Sequence, residues 1–426
     1  MKDFRREPVI LKENQRHMDK MSETFLKILK AALLGEQTSV DREMPEESWK
    51  ELLNMARIHK VLPLVYQSVG LQMKQEQPAL AAEVQRWVWH QVAVQTKKTG
   101  EFLSLYEKLL GAEICPVVVK GIVCRDLYPN PDFRMSLDED ILVPAEQLDK
   151  THRVLTDFGM YTQQDVQTAF YEAEYRKTDS PLFIELHRTL FDAQSAACGD
   201  LNQLFDDMHT RLEKKQLCGT IIYTLNDTDH LLFLICHAFK HFMYSGFGIR
   251  QVCDIILFAN RYGRQIDWTK ILESCRTIRA DRFAAALFKI GENHLGFDAE
   301  KAGYPESWKE IRVDEIPILE DLLDGGLYGD ANMSRKHSAN ITLAAVTAQK
   351  QGKKNGKLAY LFPVPKKLES RYSYLKKYPW LVPVAWCSRI LRYSRETGTM
   401  EGNTPIQALE TGNKRVELMR IYGIVE

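Results

Sequence analysis

The chain has 426 residues, of which 57 are basic and 57 acidic, so its formal net charge is zero at neutral pH. That balance argues against a general nucleic-acid binder, although a local basic channel would survive it. The first 30 residues are too charged for a secretory leader, and no run of about 18 apolar residues marks a membrane span. The 8 cysteines include no CxxC pair and read as reduced thiols of a cytoplasmic protein, neither a disulfide framework nor a zinc site.

Residues 1–21 lack a periodic pattern and read as a flexible extension. From Ser22 the spacing is helical: Phe25, Leu26, Leu29, Ala32 and Leu33 share a face, and Gly35 offers a stop. Pro45 opens a second helix carrying Trp49, Leu52, Leu53 and Ala56. "VLPLVYQSVG" and a long run from about Pro78 to Leu110 complete an N-terminal helical region, 22–111. Trp49, Trp87, Trp89 and Phe233 stand at helical spacing beside aliphatic residues, which assigns them to the core.

At Ile114 the period changes. "ICPVVVKG" reads as a buried strand ending at Gly121, "IVCRDLY" as a short helix, and "DEDILV" as a second strand. "AEQLDKTHRVLTDFG" is helical, with Gly159 as its stop. "AFYEAEYRK" and "LFIELHRTL", separated by "TDSP", form a hairpin in which Phe183, Glu185 and His187 share one face and Ile184 and Leu186 the other. This mixture of strands and helices gives an α+β core over 112–225, a small mixed sheet flanked by helical regions on both sides. From Asn226 the chain is helical again, and 226–426 forms the C-terminal helical region. Near its end lie a basic, glycine-containing loop, "QKQGKKNGK", and the aromatic and basic stretch "LFPVPKKLESRYSYLKKYPWLVP".

The acidic triplet Asp138-Glu139-Asp140 at the mouth of an apolar strand needs an account. Asp138 and Asp140 point to one face and Glu139 to the other. Two carboxylates about 4 Å apart repel by roughly 4 kcal/mol at an effective dielectric near 20, unless solvent or a divalent cation relieves them. A solvated strand end is the bland explanation. The neighbouring motifs favour the cation: a strand ending in Lys120-Gly121, a second beginning with the triplet, and a third carrying Glu185 and His187.

In that order, "VVVKG", "RMSLDEDILV" and "FIELH" resemble the nucleotidyltransferase superfamily that includes DNA polymerase beta. The closer resemblance is to the uncharacterised bacterial nucleotidyltransferase family proteins, which share a Lys-Gly turn, an Arg before the Asp-x-Asp, and an acidic-x-His strand. "HAFKH", "QVCDI" and "LFPVPKKLESRY" look like that group as well, so the resemblance covers most of the chain from about residue 22. It implies transfer of a nucleotidyl group from an NTP with Mg2+ or Mn2+. Asp138, Asp140 and Glu185 would be the catalytic and metal-binding carboxylates. Lys120, Gly121, Arg134, Ser136 and His187 would bind the nucleotide. The chemistry suits these residue types: phosphoryl-type transfer needs positioning and charge neutralisation, and hard cations prefer carboxylate oxygens. Glycine at 121 would let the backbone approach phosphates.

Two departures from the superfamily pattern stand out: Glu139 where an apolar residue is usual, which must be solvated or paired, and Leu137 where a small one is common. The acceptor is an unknown hydroxyl, on a small molecule or a protein, with tRNA less favoured by the neutral charge. A toxin-like enzyme modifying tRNA or protein, and a catalytically idle nucleotide-binding protein, are the rival readings. His237 and His241 share a helix face but lack the Glu of HExxH, so they line a pocket or support structure, with Lys240 near phosphate.

Overall fold

Amphipathic helices build the N-terminal part: α1 (Lys20–Leu33), α2 (Glu46–Ile58), α3 (Leu62–Glu76) and the 34-residue α4 (Pro78–Gly111). They are seen in a computed structural model that describes residues 18–40, 43–164, 171–326, 333–352, 373–385, 388 and 405–426. Residues 1–17 of the expected extension lie outside the described residues, as do 353–357 of the basic loop and 361–372 of the aromatic stretch. The Asp19 carboxylate caps α1 by accepting from the Met21 and Ser22 N–H groups, so the helix starts at Lys20.

The strands are β1 (Val117–Val119), β2 (Glu139–Leu142), β3 (Met160–Tyr161), β4 (Glu172–Lys177), β5 (Phe183–His187), β6 (Leu212–Leu217) and β7 (Thr220–Leu225). They form one mixed sheet in the order β3-β4-β5-β2-β1-β7-β6. β1 runs antiparallel to β2 and parallel to β7, and β2 runs parallel to β5. β4 and β5 are the expected hairpin. The β6–β7 hairpin is an addition: it turns at Cys218-Gly219, both at positive φ, which suits a tight hairpin loop.

Strand alternation divides the sheet chemically. Val118, Ile141, Ile184, Leu186 and Tyr175 face one side and pack against Phe102, Leu105 and Leu109 of α4 and Leu148 and Leu155 of α6 (Leu148–Asp157), while the short α5 (Gly121–Arg125) follows β1 directly. Each such buried aliphatic side chain contributes about 1.5–3 kcal/mol. The opposite face carries Val119, Asp140, Glu185 and His187, and the register sets Asp140 directly between Val119 and Glu185. Trp87 and Trp89, assigned to the core from their spacing, are instead 57% and 60% exposed. Only the α4 positions Ala81, Val84 and Val88 turn inward along that stretch, and the two tryptophans lie outside that stripe.

The C-terminal part adds α7 (Asp227–Met243), α8 (Ile249–Tyr262), α9 (Trp268–Thr277), α10 (Asp281–Ile290), α11 (Glu306–Lys309), α12 (Ile316–Gly325), α13 (Met333–Lys350) and α14 (Pro405–Ile421). α7 begins at an Asn226 cap and is apolar on most of its circumference, as expected of a central helix. Its apolar residues share one core with α1–α4, α8 and α10. α7 thereby lies across from the carboxylate-bearing sheet face, and the two enclose a cavity of about 340 Å³.

Candidate functional site

The β1 strand ends in a turn of unusual backbone. Lys120 has φ 57° and ψ −127°, a conformation that L residues rarely adopt, and Gly121 follows at φ 38°. Behind this turn sits Glu139, fully buried. Its carboxylate accepts from the Ile122 N–H at 3.0 Å and from Arg125 at 2.5 Å, with Lys98 at 3.6 Å. Burial alone would raise the Glu139 carboxyl, but Arg125 and Lys98 outweigh it and hold it below the usual carboxylate range. Glu139 is therefore paired rather than solvated. A Cβ on Gly121 would lie 2.1 Å from Glu139 Oε2, so the glycine is required by this carboxylate. Ser136 belongs to the same network: its hydroxyl accepts from Arg125 at 2.9 Å and from Lys98 at 3.1 Å.

On the cavity side of the sheet, Asp140 Oδ1 meets Lys120 Nζ at 2.9 Å and His187 Nε2 at 3.1 Å. Asp140 Oδ2 is buried and has no hydrogen-bond partner. Burial works to raise the Asp140 carboxyl, yet the Lys120 ammonium and His187 hold it well below the usual range. Burial raises the Glu185 carboxyl, with Asp140 and Asp138 adding to the effect and His187 opposing it. Burial would lower His187, but its contacts with Asp140 and Glu185 prevail and push it up to about 9. Ligating atoms of Asp140, Glu185 and His187 all lie within 4.8 Å of one another. Asp138 lines the same cavity just before β2, half-buried.

The donor set suits a divalent cation on two grounds. Asp140 offers a buried oxygen with no other partner, and neighbouring parallel strands present Asp140 and Glu185 side by side. Hard carboxylate oxygens match Mg2+ or Mn2+, with His187 able to ligate or to hold a carboxylate in place.

Helix α7 supplies the opposite wall. His237 Nε2 lies 3.1 Å from Lys120 Nζ and 3.1 Å from His241 Nε2. Lys120 can only donate, so His237 accepts through this nitrogen. Burial, with Lys120 adding to the effect at both, holds His237 and His241 well below the usual imidazole range, so both rings are neutral. Lys240 lines the cavity and lies 5.3 Å above the Tyr171 ring. Neither α7 histidine belongs to the metal-ligand group found among the described residues.

Arg134 is 3% exposed and makes a two-point ion pair with Asp254 of α8, at 2.7 and 2.6 Å. Asp254 Oδ1 also accepts from the Tyr128 hydroxyl at 2.8 Å. Sequence reasoning did not find Lys98, Arg125, Asp254 or Arg250 as parts of this region. Asp254 lies in the quoted "QVCDI" segment, but nothing in that string pairs it with a residue 120 positions earlier.

One face of the mixed sheet thus carries the clustered carboxylates, with the glycine turn and Lys120 beside them and Lys240 across the cavity. A family model described as "Uncharacterised nucleotidyltransferase" matches residues 45–296, and the chain belongs to that family. No curated protein and no solved structure matches it. Among the described residues, no helix is long and apolar enough to cross a membrane.

Proposed function

We propose that the protein transfers a nucleotidyl group from an NTP to a hydroxyl acceptor, with Mg2+ or Mn2+ held by Asp138, Asp140 and Glu185. The observation that carries this reading is the buried, unpartnered Asp140 oxygen in a cluster with Glu185 and His187, facing a cavity that lysines also line. Bound there, the metal would neutralise phosphate charge and lower the pKa of the attacking hydroxyl.

Lys120 and Lys240 attract the triphosphate and offset its charge. Glu185, its carboxyl raised by burial, accepts the hydroxyl proton as the acceptor oxygen bonds to the α-phosphorus. The bond from that phosphorus to the bridging oxygen breaks, and pyrophosphate leaves with its electron pair. His187, touching both Asp140 and Glu185, keeps the two carboxylates oriented. The cavity opens beside Leu137, Phe183 and Tyr171, apolar and aromatic surface suited to a base or a small acceptor.

The test is thermal unfolding with each NTP, with and without Mg2+, for wild type and Asp140→Asn. A ligand at about a hundred times its Kd adds roughly 2.7 kcal/mol of stability. A Mg2+-dependent shift in wild type that Asp140→Asn abolishes supports the reading, and pyrophosphate release in the presence of candidate acceptors then separates a working transferase from an idle binder. Growth arrest on expression, removed by Asp140→Asn, would single out the toxin-like form. Absence of any shift with every NTP would sink the proposal.

A further inference from the structure

His187, at the end of β5, is buried and meets carboxylates on both sides of its ring. Its Nε2 lies 3.1 Å from Asp140 Oδ1 and 3.6 Å from Glu185 Oε2. The other side of the ring faces β4, where the register sets Glu172 directly opposite His187. Glu172 Oε2 stands 3.6 Å from Nδ1, and Nδ1 makes no hydrogen bond. Glu172 is half-buried and lines the same cavity, and among the described residues its one ion-pair neighbour is this ring. The Tyr171 ring packs on His187 at 5.2 Å and is itself pinned, because its hydroxyl donates to the Leu190 carbonyl at 3.1 Å.

Without a metal, the ring damps the charge of Asp140 and Glu185, a task that Lys120 shares at Asp140. A cation between those carboxylates changes the ring's work, because metal and proton compete for one nitrogen. The neutral ring then presents the Nε2 lone pair where the Asp140 and Glu185 oxygens converge, and Nδ1–H to Glu172. Proteins fix ligating histidines in this way: the remote N–H goes to a carboxylate, which sets the tautomer and holds the ring plane. Strand pairing supplies that carboxylate here, since opposite residues of an antiparallel pair hold their Cβ atoms about 5 Å apart. Two carboxylates with one imidazole also select differently from oxygen alone. Mg2+ prefers hard oxygen and gives up water reluctantly, whereas imidazole nitrogen suits first-row transition ions.

We propose that His187 ligates the metal through Nε2, that Glu172 is the positioning residue that holds the ring for it, and that the site therefore takes a first-row transition ion such as Mn2+ in preference to Mg2+. The inference rests on the nucleotidyl-transfer reading for the presence of a metal at Asp140 and Glu185. It adds to that reading the identity of the ion and a residue of β4 that acts through His187 alone.

The experiment is Mn2+ binding followed by electron paramagnetic resonance, with Mg2+ as competitor, on wild type, His187→Gln, Glu172→Ala and Glu172→Gln. Each is run with and without tripolyphosphate, which carries no nitrogen. Spin-echo envelope modulation detects a nitrogen bonded to Mn2+, a signature that a merely structural histidine does not give. Wild type should show it, and His187→Gln should lose it together with much of the preference for Mn2+. Removing the carboxylate behind a ligating histidine weakens metal binding by about 10- to 100-fold. We expect that loss in Glu172→Ala and a partial recovery in Glu172→Gln, whose amide oxygen still accepts from Nδ1–H. Circular dichroism of each variant checks folding; if His187→Gln does not fold, Glu172→Ala carries the test, because its side chain is 33% exposed. Wild-type Mn2+ without nitrogen modulation, or equal affinity for Mn2+ and Mg2+, overturns the proposal, while a Mg2+–NTP thermal shift lost in Asp140→Asn leaves the transferase reading standing. Failure of Mn2+ to bind wild type in either condition overturns it outright. Nitrogen-ligated Mn2+ in a chain that binds no NTP with either ion would instead sink the transferase reading alone.

Discussion

Glu139 and Gly121 should behave as one unit. Replacing Gly121 by Ala puts a Cβ 2.1 Å from Glu139 Oε2 and 3.1 Å from its Cδ. The backbone strain at φ 38° costs about 1 kcal/mol for an L residue. The larger loss comes from moving a fully buried carboxylate off the Ile122 N–H and Arg125, about 2–3 kcal/mol. Glu139→Ala strands Arg125 and Lys98 without their anion, which costs about 3–5 kcal/mol. In the double variant the new Cβ has no carboxylate to meet, so only the strain adds to the Glu139 loss. The double should then fall short of the sum of the singles by about 2 kcal/mol, within the range for touching residues. Urea unfolding followed by circular dichroism and tryptophan fluorescence measures all three. Additivity to within about 0.5 kcal/mol would refute the claim that the carboxylate, rather than a bound phosphate, demands glycine here.

Stability should also fall on mild acidification. Burial lowers His59 to about 4 and His230 to about 3, against an ordinary value of 6.5. A folded pKa below the unfolded one gives stability that is complete above pH 6.5 and is lost as pH falls from there towards the folded value. For His59 the loss between pH 7.5 and pH 5 is about 2 kcal/mol, and His59→Gln should flatten the acid limb by that amount in urea titrations at each pH. An unchanged slope would mean the ring is hydrated. Arg415 of α14 is 2% exposed and donates to the Tyr244 carbonyl at 2.6 Å and to the Phe242 carbonyl at the end of α7. Arg415→Met leaves the Phe242 carbonyl without this donor, while the Tyr244 carbonyl keeps the Thr342 hydroxyl, and should cost about 1.5–3 kcal/mol in the same assay; a loss below about 1 kcal/mol would show that water replaces the guanidinium.

The parts of the fold that were legible are those set by local periodicity. Helices α1–α4 and α7 follow from apolar spacing, caps and the Pro and Gly stops, and β1, β2 and β5 from short apolar runs with turn residues around them. The β6 strand was not legible: "LEKKQL" is polar because it lies at the sheet edge, with only one neighbouring strand. β7 was hidden by association, since its parallel pairing with β1 joins residues about a hundred positions apart. Trp87 and Trp89 misled because helical spacing beside aliphatic residues places a side chain near a stripe without saying on which side of it.

The candidate site shows the same division between order and pairing. The order of Lys120, Asp140, Glu185 and His187 along the chain could be read, and strand alternation alone puts Glu185 and His187 on one face. What could not be read is which cation meets which anion. The acidic triplet illustrates the difference. Asp140 turns to the cavity and is balanced by Lys120 from the turn, while Glu139 turns to the opposite side and is balanced by Arg125 and Lys98. One strand thus holds the Lys120–Gly121 turn from behind with one carboxylate and presents another to the cavity in front. The turn can keep its strained backbone because Glu139 binds the Ile122 N–H next to it, and that same turn aims Lys120 at Asp140. Neutralising Glu139 should therefore reach the cavity through the backbone, weakening the Lys120–Asp140 contact although neither side chain has changed.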